Sequence, residues 1–248
     1  MTIPNLDATG KVVVITGASK GLGRAMALGF AEAGADVVVA SRKIEACEIV
    51  ADEIRALGRK ALPRRCHVGD WDECGALIDA TIAAFGRLDV LVNNAGIAPV
   101  PPSLREVTSE LFDKTFAVNL KGPLRLTALA AEHMTAGGTV INISSTASLH
   151  PMPFTVVYAA AKAGLNALTK AAAAEYGPRG IRVNAIVCGA FHTDSFHHGA
   201  PPDMQERIAA GVSLRRIASA DEIVGTALFL ASEASSYLSG ELLVLDGG

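Results

Sequence analysis

Short runs of consecutive apolar residues alternate along the chain with longer stretches in which apolar positions recur every three or four residues. Lys11-Val-Val-Val-Ile15, Asp36-Val-Val-Val-Ala40, Leu88-Asp-Val-Leu-Val92, Gly138–Ile143, Ile181–Ile186 and Glu241–Leu245 are short, and most are rich in β-branched side chains. They read as buried strands. Lys60–Arg65 is a weaker seventh. Between them, 21–33, 44–57, 71–85, 109–134, 155–177 and 219–231 carry a helical pattern. Apolar strands separated by helices predict a parallel sheet covered on both faces. No linker, repeat or low-complexity tract divides the 248 residues, so one doubly wound α/β Rossmann domain of about seven strands is expected over 1–248. The long irregular stretch at about 189–203 leads into a short amphipathic helix. Loops of that length in compact domains usually have a function, so 189–210 is expected to be a substrate lid.

Composition narrows the class. Half of the residues are apolar, ample for a core, and a net charge of −3 offers no footprint for nucleic acid or an anionic membrane. No apolar run approaches a membrane span. The four cysteines (Cys47, Cys66, Cys74, Cys188) show neither Cys-x-x-Cys nor a Cys/His ligand spacing. They read as reduced thiols of a cytoplasmic protein. Met1–Asp7 lacks the basic and apolar regions of a signal peptide. His197 and His198, with Asp194 or His192, could suggest a metal, but adjacent histidines seldom face one ion, and no metal is expected.

The first strand runs into Thr16-Gly17-Ala18-Ser19-Lys20-Gly21-Leu22-Gly23 and then a helix. Glycines there permit a tight turn and let a pyrophosphate approach the free N–H groups of the helix start. A glycine turn alone is weak evidence; between a first strand and a helix it points to nucleotide binding. The second strand ends at Ala40-Ser41-Arg42-Lys43, without the carboxylate that bonds ribose hydroxyls and repels a 2′-phosphate. Ser41 can donate a hydrogen bond and Arg42 a charge-assisted one to that phosphate, with Lys20 on the same side. NADP(H) is the expected cofactor. The plainer alternative is a solvated helix start at Arg42 and Lys43.

Tyr158 and Lys162 stand four apart in a helical stretch and so share a face. A nearby ammonium favours tyrosinate, so the phenol is expected below its ordinary value of about 10, usable as a general acid or base. An ordinary tyrosine and a solvated lysine would give the same spacing. The pair needs company.

Several motifs supply it. Thr16–Gly23 resembles the Thr-Gly-xxx-Gly-x-Gly turn of the short-chain dehydrogenase/reductase family, and Asn93-Asn94-Ala95-Gly96 resembles its Asn-Asn-Ala-Gly strand end. Asn119, Ser145, Tyr158 and Lys162 match its catalytic tetrad in order and spacing, and the resemblance covers essentially the whole chain. It implies a cofactor held by Gly17, Ser19, Lys20, Gly21, Leu22, Gly23, Ser41, Arg42, His67, Val68, Asn94, Ala95, Gly96, Gly189 and Thr193, with Tyr158 and Lys162. It also implies that Tyr158 donates a proton to a carbonyl oxygen that Ser145 also bonds, with hydride delivered from the pro-S face. Lys162 is implied to lower the tyrosine pKa and bind the nicotinamide ribose, and Asn119 to hold a water linking Lys162 to solvent. Ser144 competes with Ser145; the thirteen-residue offset from Tyr158 favours Ser145.

Two positions depart from the family pattern. His67-Val68 stands where an Asp-Val pair contacts the adenine; the histidine can stack on or bond the base, or be a surface residue with no role. Cys188-Gly189 stands where Pro-Gly is usual. Cys188 cannot fix φ as proline does, and reads as a small buried thiol.

The pocket walls, Ile97–Pro102, Ala147–Met152 and the lid with Phe191, Phe196 and Met204, are mostly apolar. They suit a small to medium, largely apolar ketone, aldehyde or secondary alcohol, with His150 the polar exception. The combination is similar to NADP(H)-dependent carbonyl reductases. A 3-oxoacyl-[acyl-carrier-protein] reductase is the enzymatic alternative, although Glu132–Gly138 lacks the basic cluster that an acidic carrier needs; Arg125 and Arg179 could substitute. A non-catalytic NADP(H)-binding sensor would be supported by an altered tetrad, and all four positions match. Alanine-rich faces such as Ala171–Ala174, with the resemblance, imply a four-helix subunit interface, and Tyr237–Gly248 a second. A D2 homotetramer is expected, with a dimer as fallback.

Overall fold

The computed structural model describes residues 6–135, 137–194, 196 and 201–248. Its central sheet has seven strands: β1 (Val12–Thr16), β2 (Asp36–Ser41), β3 (Ala61–Arg65), β4 (Val90–Asn93), β5 (Gly138–Ser145), β6 (Ile181–Cys188) and β9 (Leu242–Leu245). Their order is β3-β2-β1-β4-β5-β6-β9, and every pairing is parallel. Side chains alternate across each strand, which divides the core in two. Val13, Ile15, Val37 and Val39 face a layer containing Met26 and Phe30 of α1 (Gly21–Glu32), Ile54 of α2 (Ile44–Ala56) and Leu230 of α8 (Glu222–Ala231). Val14, Val38 and Ala40 face Leu77 of α3 (Trp71–Phe85) and Leu126 of α5 (Gly122–His133). The strand order reverses between β1 and β4, opening a crevice beyond their carboxyl ends.

The weakest sequence strand is real and lies at an edge, where Pro63 removes no bond that a central strand would need. Asp70 caps α3 by accepting from the Asp72 and Glu73 N–H groups, and Gly86, at φ 72°, ends that helix.

The helix expected over 109–134 is two helices. α4 (Ser109–Phe116) passes through a π-helical turn, Ala117–Lys121, into α5. Pro123 has no N–H, so the α-helical donor to the Asn119 carbonyl is missing and the ladder cannot continue. α6 (Val156–Tyr176) is unbroken.

Beyond β6, β7 (Phe191–His192) pairs with β8 (Ala218–Ser219), and α7 (Pro202–Gly211) lies between them. The Ser213 and Leu214 N–H groups donate to the Gly248 and Gly247 carbonyls, tying the end of this excursion to the chain terminus. His197 and His198, and with them the middle of the expected lid, lie outside the described residues. Among the described residues no helix is long and apolar enough to cross a membrane.

Candidate active site

The turn between β1 and α1 is strapped to the strand beside it. Thr16 Oγ1 accepts from the Asn94 and Ala95 N–H groups at 3.0 and 3.1 Å, and Asn94 Nδ2 donates to the Thr16 carbonyl at 2.8 Å. Gly17, at φ 67°, is packed so closely that a Cβ would come within 2.9 Å of Ala95 Cα. Lys20, extended at the N-cap of α1, makes no capping bond, and no acidic residue occupies the first turn. The helix start therefore keeps unpartnered N–H groups and its positive dipole end aimed at the crevice. This donor set fits an anionic diphosphate.

A cleft of about 1200 Å³ extends along these elements. Gly17, Ser19, Lys20, Gly21, Leu22 and Gly23 line it beside Asn94, Ala95 and Gly96. Ser41, Arg42, His67 and Val68 line it too, as do Gly189 and Thr193, so every expected cofactor position borders one cavity. Arg42 is exposed and makes no ion pair among the described residues. The His67 ring folds back on Gly69, and its backbone N–H donates to Glu73 Oε2 at 2.8 Å. Thr193 abuts Gly21, and its neighbour Asp194 lies 3.8 Å from Lys20 Nζ, so the base of the expected lid touches the glycine turn.

Ser145, Tyr158 and Lys162 also line the cleft. Ser145 ends β5, where its Oγ accepts from the Ala147 N–H at 3.2 Å. Ser144 points the other way, as alternation along a strand requires, and donates to Asn166 Oδ1 at 2.6 Å. Geometry thus separates the two serines. Lys162 is buried and donates to the Ile143 carbonyl at 2.7 Å, with Nζ 5.8 Å from the centroid of the Tyr158 ring.

Asn119 is buried behind the cleft. Its amide donates to the Ile97 and Thr115 carbonyls at 2.8 and 2.9 Å, and its Oδ1 accepts from the Ile97 N–H at 3.2 Å. The side chain is a clasp on the segment after β4. Its backbone carbonyl has no α-helical donor, because Pro123 carries no N–H.

The tyrosine departs from expectation. Burial pushes the Tyr158 phenol up, against a smaller opposing effect of the Ser145 hydrogen bond. Burial likewise pushes the Lys162 ammonium down, to about 8. An ammonium in a dry site disfavours its own charge before it helps its neighbour.

The same architecture recurs in known proteins. Residues 17–248 match the family model described as enoyl-(acyl carrier protein) reductase. An uncharacterized oxidoreductase of Methylorubrum extorquens is 40% identical over 243 residues, covering 96% of this chain and 97% of the relative. The 3-oxoacyl-[acyl-carrier-protein] reductase of Thermotoga maritima is 35% identical, covering 96% of this chain and 97% of the relative. A solved 7α-hydroxysteroid dehydrogenase, complexed with NADH and 7-oxo glycochenodeoxycholic acid, superposes with a TM-score of 0.95 at 35% identity, over 98% of this chain and 96% of that one.

The chain belongs to the short-chain dehydrogenase/reductase family. As a short-chain dehydrogenase/reductase it is an oxidoreductase acting on alcohol and ketone groups with a nicotinamide cofactor.

Two residues of this site, Cys47 and Asn166, escaped the sequence, while the small buried thiol read at Cys188 is found there. Cys188 pairs with Ser145 in the β5–β6 register and lies close to Lys162 and Tyr158; burial pushes its thiol up to about 12, so it stays neutral. Cys47 lies behind Ser41. Both depend on contacts between elements that no local spacing reveals. Asn166 could have been found: it continues the Tyr158–Lys162 stripe by one more helical turn.

Proposed function

We propose that this short-chain dehydrogenase/reductase uses NADP(H) to interconvert a largely apolar ketone or aldehyde and its alcohol, with Tyr158 as proton donor. The observation that carries the reading is the meeting of Ser145, Tyr158 and Lys162 in the cleft that begins at the glycine turn. Gly17–Gly23 and Asn94–Gly96 would hold the cofactor, and bound there it supplies or accepts the hydride. Ser145 and Tyr158 bond the substrate oxygen; a phenol kept neutral by burial is the correct form to give that oxygen a proton. Lys162 reprotonates Tyr158 through a water held by the Asn119 carbonyl. Thr193 and Gly189 border the nicotinamide end.

Cofactor choice rests on Ser41 and Arg42. Arg42 has no ion pair among the described residues to surrender, and no carboxylate stands at the end of β2 to repel a phosphate. Lys20 supports the same preference. The 7α-hydroxysteroid dehydrogenase was seen with NADH, so this preference belongs to this chain's own residues.

Ile97, Ala98, Pro99, Phe191 and Phe196 line the cleft, and Val100, Leu104, Leu149 and Met152, all more than 40% exposed, surround it in sequence. That supports a carbonyl-reductase-like activity on apolar molecules, with 189–210 as the lid of a single domain. The Thermotoga maritima relative favours carrier-bound 3-oxoacyl groups as a second reading. Against it, Arg125 stacks 4.6 Å from the Trp71 ring and Arg179 donates to the Ala131 carbonyl, so both have other work. NADPH consumption with apolar ketones, against 3-oxoacyl thioesters and a Tyr158→Phe control, tests the assignment.

The subunit is proposed to form a cytoplasmic D2 homotetramer. Trp71, Phe116, Leu120 and Leu124 line an apolar depression on α3 to α5, and Tyr237 and Val244 are exposed near the open edge at β9. Two such surfaces suit two two-fold axes.

A further inference from the structure

The Ser41 hydroxyl already has a partner inside the protein. Its Oγ lies 3.2 Å from Cys47 Sγ, on the second turn of α2, and 3.4 Å from the Lys43 carbonyl. Cys47 is fully buried, and its sulfur also lies 3.7 Å from the Arg64 carbonyl on β3. A thiol thus bridges the hydroxyl that ends β2 and the backbone of the neighbouring strand.

A thiol carries one proton and an accepting sulfur, so the bridge has two states. With the S–H donated to the Arg64 carbonyl, Ser41 donates inward to sulfur and presents only lone pairs to the cleft. It then accepts from a ribose hydroxyl. With the S–H donated to Ser41 Oγ, the serine proton is freed from sulfur and can leave its long 3.4 Å contact with the Lys43 carbonyl for a phosphate oxygen, which can only accept. Burial raises the Cys47 pKa, so the proton that makes both states available stays in place at neutral pH.

We propose that Cys47 is a positioning residue for cofactor selection, donating to Ser41 so that the serine proton meets the adenosine 2′-phosphate of NADP(H), and reversing to let Ser41 accept from the 2′-hydroxyl of NAD(H). The inference rests on the reading of Ser41 as a contact to that part of the cofactor. Arg42 then supplies attraction for the phosphate, and the serine–thiol pair supplies tolerance of both cofactors. The chain binds both, NADPH more tightly.

The test is titration of the full chain with NADPH and with NADH, followed by nucleotide fluorescence. Cys47→Ala should weaken NADPH binding about three- to tenfold, the scale of one hydrogen bond, and NADH binding less than about twofold. Cys47→Ser, which restores a donor, should recover most of the loss. In a Ser41→Ala background, Cys47→Ala should have no further effect on the NADPH/NADH ratio. If Cys47→Ala fails to fold, Cys47→Val replaces it, filling the space without a donor. Equal weakening of both nucleotides, failure of Cys47→Ser to recover, or a ratio change that persists without Ser41 overturns the positioning role. A wild-type chain that binds NADH alone, with Ser41→Ala changing neither nucleotide, overturns the cofactor reading itself.

Discussion

Ser144 Oγ donates to Asn166 Oδ1 at 2.6 Å, so although both adjacent serines border the cleft, the hydroxyl of the first is bound to α6. Replacing the two should therefore have different effects. Ser144→Ala leaves the buried Asn166 oxygen without this donor and should lower stability by about 1–3 kcal/mol with turnover little changed. Ser145→Ala should leave the melting temperature near wild type and reduce kcat by about a hundredfold or more. Denaturant unfolding beside steady-state kinetics separates them, and the opposite pattern would assign the chemistry to Ser144.

Tyr158→Phe removes the proposed proton donor and keeps the ring that fills its site. Turnover should fall by about 10²–10⁴, the range for general acid catalysis, while NADPH binding stays within about twofold. A variant with near-normal kcat refutes the tyrosine's role.

The buried ammonium makes a pH prediction with a definite sign. Lys162 titrates near 8 in the fold and, as an ordinary lysine, near 10.5 when unfolded. Between those values the unfolded chain binds the extra proton, so this group's contribution to stability rises with pH across that window. Below about pH 8 both states are charged and the burial penalty is fully present. Unfolding free energies at pH 7 and 10 should show the rise as the difference between wild type and Lys162→Met. Parallel curves for the two proteins would contradict it.

Ser41→Asp with Arg42→Leu would place a carboxylate against the 2′-phosphate of the proposed cofactor and remove its cation. The NADPH/NADH ratio of kcat/KM should fall by about a hundredfold, the sum of two charge effects of the usual size. An unchanged ratio would return Arg42 to the role of a solvated helix start.

Phe112 and Phe116 stack with centroids 4.3 Å apart, and Phe112 and Leu124 are exposed on the α4–α5 surface. Leu124→Glu should convert the proposed tetramer to dimers in light scattering, with the Tyr237–Val244 side left to hold them. A wild-type monomer would refute the assembly.

The sheet was legible because strands buried on both faces have a simple signature, and even the weak edge strand was found. The break at 117–121 was missed because apolar periodicity runs straight through it; Pro123 was the available sign. The serine, tyrosine and lysine could be named from their resemblance to the family's tetrad, but the protonation of the tyrosine and lysine could not. Burial decides the direction for Tyr158, and burial comes from the packing of distant elements. The role of Cys47 and the neighbours of Cys188 were hidden for the same reason, since strand register and helix docking bring the two thiols to Ser41 and Lys162.

Pro123 makes the proposed proton route a property of the main chain. A helix ordinarily consumes its own carbonyls, and here one proline withholds the α-helical donor from one of them at a chosen depth. The identity of the side chain at 119 then governs how firmly the neighbouring loop is clasped, while the hydrogen-bonding of its carbonyl is governed four residues later. A residue with an N–H at 123 would offer the Asn119 carbonyl an α-helical partner and compete with any water there.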